Sequence, residues 1–223
     1  MSSMTVGALA AQRPQSVKVL QRHRIDFCCG GGQALDAACA AKGLEVDALL
    51  GEVAVEESRT NTPDARWDEA PLGQLVGHLL ERHHAPLEVE LPRLDGLVRK
   101  VARVHHERDP EGFDRLVALW EDLRDDLEPH MMKEERILFP AILAGRGRDV
   151  GGPVSVMHAD HEHLGGILAG LRELTHDYTP PADGCGSWRA LFQGLSDLEA
   201  DLKLHIHLEN NVLFPRALTG EAV

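Results

Sequence analysis

The fold is decided by two similar stretches of sequence, HMMKEERILFPAIL at residues 130–143 and HIHLENNVLFPRAL at residues 205–218. Both begin with His, have Glu four residues later, continue into Leu-Phe-Pro and end on Leu. A match of this kind within one chain has a very low probability of arising by chance. His84 and His161 precede the two stretches by similar distances along the chain. The spacing therefore predicts two related helical hairpins.

Four long helices are predicted because apolar residues recur at helical spacing between segments rich in Pro and Gly. The predicted helices cover residues 72–103, 113–144, 154–176 and 187–218. The short connections between them favour antiparallel neighbours. Aromatic residues make up only 4% of the chain, which also favours helix over strand. The predicted fold is all-α, with an antiparallel four-helix bundle.

A second, smaller domain is predicted before the bundle. The 223 residues, of which 43% are hydrophobic, suffice for a bundle-sized core and a smaller helical unit. The sequence TNTPDARWDEAP at residues 60–71 has the Pro, Asn, Asp and Thr content that is typical of a linker. We therefore expect residues 1–62 to form a small helical domain and residues 71–220 to form the bundle.

The charge of the chain excludes two classes of partner. A formal net charge of −13 argues against nucleic acid and anionic membranes, since both require clustered Lys and Arg. The only apolar run near the start is VGALAA at residues 6–11, too short for a signal peptide or a membrane span. A cytoplasmic protein is expected, in which a reducing environment keeps the four cysteines as thiols.

The repeated His and Glu residues predict a metal centre. Residues four apart on a helix share one face, so each repeat presents an imidazole and a carboxylate at one point. With one more His from each of the other helices, the bundle interior receives four nitrogen donors and two carboxylates. The predicted ligands are His84, His130, Glu134, His161, His205 and Glu209.

This donor set is sufficient for two metal ions. If both glutamates bridge, each metal receives two imidazole nitrogens and two carboxylate oxygens. An oxo or hydroxo bridge then gives five ligands and leaves one position open. Mixed nitrogen and oxygen donors suit iron better than structural zinc, which prefers closed sites rich in thiolate. Two bridged non-haem iron ions are therefore predicted, with manganese as an alternative.

Other polar residues near the predicted ligands leave alternatives open. His83, His158 and His163 compete with the ligands expected on the first and third helices. A single His on a bundle helix is more often a surface or hydrogen-bonded residue than a ligand. Asp126 is interpreted as a solvated helix charge, while Asp160 is a candidate for a hydrogen bond to a ligand.

The pair Cys28-Cys29 is the second chemical feature. Adjacent cysteines seldom close a relaxed disulfide, and the Gly-Gly-Gly that follows allows the backbone to turn sharply. We predict that these thiols are reactive, although small buried side chains are the alternative. Cys39 and Cys185 lack such a context and are interpreted as structural.

The sequence DFCCGGGQAL at residues 26–35, together with the two HxxxExxxLFP segments, resembles the Repair of Iron Centers family over nearly the whole chain. The resemblance implies a small N-terminal domain joined to a haemerythrin-like di-iron bundle. It places the four histidines and two bridging glutamates of the family on the six ligands predicted above. It also implies a role in restoring iron–sulfur clusters after damage by nitric oxide or peroxide.

The sequence features are consistent with two functions. The first is repair of damaged iron–sulfur proteins by donating iron or processing nitric oxide at the di-iron site, with assistance from Cys28 and Cys29. The second is a haemerythrin-like oxygen-binding carrier or sensor, for which the bundle alone would suffice. A ferritin-like oxidase would need two Glu-x-x-His motifs. Glu81 and His84 form one, but His158 replaces the second Glu. The Cys-Cys-Gly-Gly segment favours the first function.

Overall fold

The computed structural model describes residues 4–59, 65–221 and 223. No strand occurs in these residues, where one isolated β-bridge joins Thr5 and Ala34. Residues 60–64 of the predicted linker lie outside the described residues. The α-helices are α1 (Val6–Gln12), α2 (Ser16–Arg22), α3 (Leu35–Ala41), α4 (Val46–Arg59), α5 (Leu72–Leu79), α6 (Ala85–His105), α7 (Pro110–Lys133), α8 (Phe139–Leu143), α9 (Gly151–Leu174), α10 (Gly186–Leu208) and α11 (Phe214–Thr219).

Three π-helical turns continue these helices at Leu80–His84, Glu134–Leu138 and Glu209–Leu213. Short 3₁₀ turns occur at His106–Arg108 and Gly147–Asp149. None of the described helices is both long enough and apolar enough to cross a membrane. The all-α prediction is confirmed, and the long helices begin and end within a few residues of the predicted positions.

The chain forms two compact units. The first unit contains Met1–Gly77, Ala141–Gly151 and Lys203–Val223, and the second contains His78–Pro140 and Gly152–Leu202. Each unit combines segments that are far apart in the sequence, whereas each predicted domain is one continuous stretch of the chain. The predicted division at residues 62 and 71 stays a prediction.

The second unit is an antiparallel four-helix bundle built from α6, α7, α9 and the first part of α10. Its core is apolar, and Leu94, Trp120, Leu123 and Leu191 are fully buried in it. Trp120 keeps its polar atom satisfied, because its indole N–H donates to Asp95 Oδ1 at 3.0 Å. The bundle therefore has a continuous apolar core, in which buried polar residues are exceptions.

The first unit has its own core, formed where α1 to α4 pack together. Val6, Leu9, Val19 and Val53 are fully buried in this core. Leu204, near the end of α10, packs against the same cluster. The N-terminal helices thus share their apolar contacts with the helix that carries the second repeat.

A proline follows each of the three π turns. Proline lacks an N–H, and its ring clashes with the carbonyl four residues earlier in an α-helix. In each turn the residue just before a proline donates instead to the carbonyl five residues earlier, as Phe139 does to Glu134 and Phe214 to Glu209. The wider turn moves the obstructing carbonyl away from the ring. The prolines are Pro86, Pro140 and Pro215.

A strained turn follows α9 in the second unit. His176, Asp177 and Tyr178 have φ angles of 50°, 57° and 54°, in the left-handed region that residues other than glycine rarely adopt. Hydrogen bonds hold this backbone in place. The Tyr178 hydroxyl donates to Oε2 of the buried Glu199 at 2.6 Å, and Arg172 donates to the same carboxylate.

We predict that Tyr178→Phe destabilises the protein by about 1–3 kcal/mol, because a buried carboxylate loses one of its donors and the strained turn loses its anchor. Urea unfolding followed by circular dichroism measures the change. Glu173→Gln is the control, because Glu173 lies near the end of α9, just before the turn, and is exposed. A free energy of unfolding equal to that of the wild type would contradict this account of the turn.

Candidate metal centre

Three predicted ligands meet inside the second unit. His130 and His161 approach each other with Nε2 atoms 3.2 Å apart. Glu134 Oε2 lies 3.5 Å from the His130 Nε2. One donor atom from each of these three side chains lies within 4.8 Å of the other two. His130 is 1% exposed and the other two are fully buried. The cluster thus offers two nitrogens and a carboxylate to one point.

His84 approaches the same glutamate from the first bundle helix. Its Nε2 lies 3.4 Å from Glu134 Oε2, and the ring is 3% exposed. Its other nitrogen, Nδ1, lies 2.8 Å from Oε1 of Glu135, a carboxylate acceptor. Nδ1 therefore carries the proton, and Nε2 presents a lone pair toward Glu134. No spacing in the sequence marks Glu135, because its partner His84 lies 51 positions away.

The remaining two predicted ligands meet in the first unit. His205 Nε2 lies 3.1 Å from Glu209 Oε1, and both side chains are buried. They stand at the junction of α10 with the π turn that begins at Glu209. The spacing of four residues places them side by side, as the sequence predicted. The structure thus brings the six residues together in two groups, each within its own unit.

The chemistry of these donors fits a metal ion. An ionised carboxylate in a protein interior carries a desolvation penalty of several kcal/mol unless opposite charge compensates it. Neutral imidazoles donate electron pairs but no positive charge, so a divalent cation is the natural partner for Glu134 and Glu209. Imidazole nitrogen with carboxylate oxygen, and no thiolate among these six side chains, favours iron over structural zinc.

Asp160 supports one of these ligands. Its Oδ2 lies 3.3 Å from His130 Nδ1 and also pairs with Lys133. Burial acts to raise the pKa of Asp160, but the hydrogen bonds from Lys133 and His130 outweigh it, so the pKa lies below its ordinary value. An ionised Asp160 holds the proton of His130 on Nδ1 and leaves Nε2 for a metal. Asp126 instead pairs at 3.0 Å with the exposed His163.

The competing histidines have other surroundings. His83 is buried, but its Nδ1 lies 3.0 Å from Asp201 Oδ1 and its ring packs edge-on against His78. His158 and His163 are exposed on α9. The groups of donor atoms found among the described residues include none of these three side chains.

The Cys28-Cys29 pair lies in the first unit and is largely enclosed. Cys28 is 6% exposed, while Cys29 is partly exposed. Asp26 organises the turn, since its carboxylate accepts hydrogen bonds from the Cys28 thiol at 3.1 Å and from the backbone N–H groups of Cys28 and Gly30. The contact with Cys29 and burial raise the pKa of the Cys28 thiol well above its ordinary value.

Residues 26–31, which contain Cys28 and Cys29, are called the cysteine turn. This turn is hydrogen-bonded to the second repeat. His207 Nδ1 donates to the Phe27 carbonyl at 3.1 Å. Asn211 Nδ2 donates to the carbonyls of Phe27 and Cys28 at 3.2 and 3.0 Å. Burial lowers the pKa of His207 to about 4, so the ring is neutral. His207 lies two residues from His205 and therefore on another face of the helix.

The other two cysteines differ from each other. Cys39 is fully buried in the core of the first unit, which agrees with a structural role. Cys185 is exposed, and the hydrogen bond from His105 lowers the pKa of its thiol to about 7. The interpretation of Cys185 as a structural residue is therefore wrong. Its partner lies 80 positions away in sequence, and spacing gives no signal for such a contact.

Two family models match the chain. The Hemerythrin HHE cation binding domain matches residues 76–217, and a domain of unknown function, DUF542, matches residues 2–56. The iron-sulfur cluster repair protein YtfE of Dickeya chrysanthemi is 42% identical over 219 residues, covering 97% of each chain. Its counterpart in Yersinia pseudotuberculosis is 40% identical over 221 residues, covering 98% of each chain. The chain belongs to the haemerythrin-domain family of YtfE.

Membership of the YtfE family confirms the resemblance found in the sequence. It also confirms the haemerythrin-like character of the four-helix bundle. The family match at residues 76–217 includes all six predicted ligands. The match at residues 2–56 includes the cysteine turn.

We predict that Asp160→Asn weakens iron binding about 10- to 100-fold, because the amide no longer fixes the protonated nitrogen of His130. A chelator competition titration followed by absorbance measures the affinity. Asp126→Asn, which alters an exposed pair, is the matched control and should bind iron like the wild type. Equal affinity in the two variants would show that Asp160 does not act on the centre.

We also predict that Glu134→Ala and Glu209→Ala each lose most of the bound iron, while His207→Ala keeps it. The glutamates supply oxygen donors and negative charge, whereas His207 bonds to a backbone carbonyl. Iron per chain, measured by inductively coupled plasma mass spectrometry, separates the two cases. Equal iron loss in the His207 variant would contradict the assignment of ligand faces on α10.

Proposed function

We propose that this protein repairs iron–sulfur clusters damaged by nitric oxide or oxidative stress, using two non-haem irons. The ligands we propose are His84, His130, Glu134, His161, His205 and Glu209. In this proposal Glu134 and Glu209 bridge the two ions, and an oxo or hydroxo group completes the bridge. The proteins named YtfE, which are 40–42% identical to this chain, are iron-sulfur cluster repair proteins, and this supports the repair function.

One observation carries the choice of repair over oxygen transport. The turn that bears Cys28 and Cys29 is hydrogen-bonded to the helical segment that bears His205 and Glu209. Oxygen binding requires only the bundle. It does not require Cys28 and Cys29 to be held against the helix that carries His205 and Glu209. In a protein that passes iron on, thiols held by the segment that bears His205 and Glu209 can bind ferrous iron that leaves the site.

The residues of this chain have distinct tasks in the proposal. Asp160 and Glu135 hold protons on the Nδ1 atoms of His130 and His84, so that the Nε2 atoms can ligate. The bound irons supply an open coordination position for nitric oxide or oxygen and a store of ferrous iron. Ferrous iron is then the cargo, and Cys28 and Cys29 receive it in transit.

Asp26 has a different role at the thiols, where its carboxylate is the proposed proton acceptor. A thiol must lose its proton before its sulfur binds a metal ion. The Oδ1 atom of Asp26 lies 3.1 Å from the Cys28 sulfur and is the carboxylate placed to accept that proton. The proposed recipients are damaged iron–sulfur proteins of the cytoplasm.

We predict that Cys28→Ser combined with Cys29→Ser leaves the iron content and optical spectrum unchanged but impairs repair. The thiols take no part in holding the resident iron, and only transfer requires them. The assay compares reactivation of a nitric-oxide-damaged aconitase-type enzyme by wild type and double variant at equal iron load. Cys185→Ser, which replaces an exposed thiol, is the control.

Reversible oxygen binding is measured on the same preparations. Unchanged reactivation by the double variant would remove Cys28 and Cys29 from the mechanism. A stable, reversible oxygen adduct together with no reactivation by the wild type would favour the carrier function instead.

A further inference from the structure

We propose that His207 and Asn211 are positioning residues that clamp the Cys28-Cys29 turn onto the second repeat and set the reactivity of its thiols. This inference rests on the proposed function, in which the thiols receive iron. His207 and Asn211 are not among the proposed ligands, but they lie on the same helical segment as the proposed ligands His205 and Glu209.

The contacts of the clamp are specific. His207 and Asn211 together donate three hydrogen bonds to two successive carbonyls, those of Phe27 and Cys28. Backbone carbonyls at a tight turn need donors, and a buried carbonyl without one is costly. The clamp supplies them from side chains four residues apart, which lie on one face of the segment.

Two glycines allow this close approach. A Cβ atom at Gly7 or at Gly31 would overlap the Asn211 side-chain amide. Gly7 N–H also donates to the Gly31 carbonyl at 2.8 Å, which joins α1 to the cysteine turn. Asn211 therefore fits into a space that only glycine leaves open. The last of the three consecutive glycines, Gly32, has no such neighbour.

The internal repeat provides a comparison within the same chain. When the two stretches are aligned on His and Glu, His207 corresponds to Met132 and Asn211 to Arg136. Met132 is 46% exposed and Arg136 is also exposed. Both repeats therefore contain the His and Glu of a ligand pair, but only the second repeat contains the clamp residues His207 and Asn211. The clamp pair occurs in the copy that packs against the cysteine turn within the first unit.

The clamp explains how the thiols are held. With the carbonyls of Phe27 and Cys28 fixed, the Cys28 sulfur stays buried against Asp26. Cys29 keeps partial exposure. Residues 207 and 211 alternate with ligand residues 205 and 209, so one short segment holds both the iron ligands and the thiol turn. Loosening the clamp should expose the thiols while leaving the ligand pair intact.

The test uses separate variants of the full-length, iron-loaded protein. Asn211→Leu and His207→Phe each remove a hydrogen-bond donor of the clamp, whereas His207→Gln keeps an N–H donor. Alkylation of Cys28 and Cys29 by iodoacetamide is followed by peptide mass spectrometry. We expect rates roughly tenfold higher in the first two variants, and a rate near that of the wild type for His207→Gln. The equivalent positions give the controls Met132→Phe and Arg136→Leu, which should not change the rate.

Iron content and reactivation of a damaged iron–sulfur enzyme are measured on the same samples. We expect unchanged iron and slower reactivation in Asn211→Leu and His207→Phe. Asn211→Leu decides the outcome if His207→Phe does not fold, because Asn211 is only partly buried. Alkylation rates equal to the wild type in Asn211→Leu would overturn the clamp, as would unchanged reactivation despite faster alkylation. If the wild type itself shows no reactivation while alkylation responds as expected, the clamp stands and the proposed function fails.

Discussion

The structure depends on burying two carboxylates completely. Glu134 and Glu209 are 0% exposed, and an ionised carboxylate in that position requires compensating positive charge. The neighbouring imidazoles bring lone pairs without charge. A metal cation would supply that charge, and the long apolar helices around the predicted ligands would hold the donors in place. An ion bound there would stabilise the folded state, because the unfolded chain has no preformed site.

The fold could be predicted because its signals are local. Helical spacing of apolar residues and Pro- or Gly-rich breaks fix where long helices begin and end. The ligand pairs were predictable for the same reason, since four-residue spacing puts His130 beside Glu134 whatever the tertiary structure. A proline follows each π turn, but Pro92 and Pro129 lie within α-helices, so proline alone does not predict such a turn. His84 and His161 depended on the regular spacing between the repeats.

Contacts between distant segments could not be predicted. Asp126 and Asp160 are both carboxylates near predicted ligands, and only the packing of α9 on α7 distinguishes the residue that bonds to His130. The same limit applies to His207, whose backbone acceptor lies 180 positions earlier. The reactivity of Cys28 and Cys29 stays a prediction, and the burial of Cys28 beside Asp26 and the second repeat follows from tertiary structure alone.

The central claim is that these buried donors hold two iron ions per chain. The most direct measurement is iron stoichiometry with Mössbauer and optical spectra of wild-type protein purified without oxygen. The account predicts two irons per chain in similar sites of nitrogen and oxygen ligands, with magnetic coupling between them after oxidation. A single uncoupled iron, or full occupancy by zinc in protein produced with iron in excess, would contradict it.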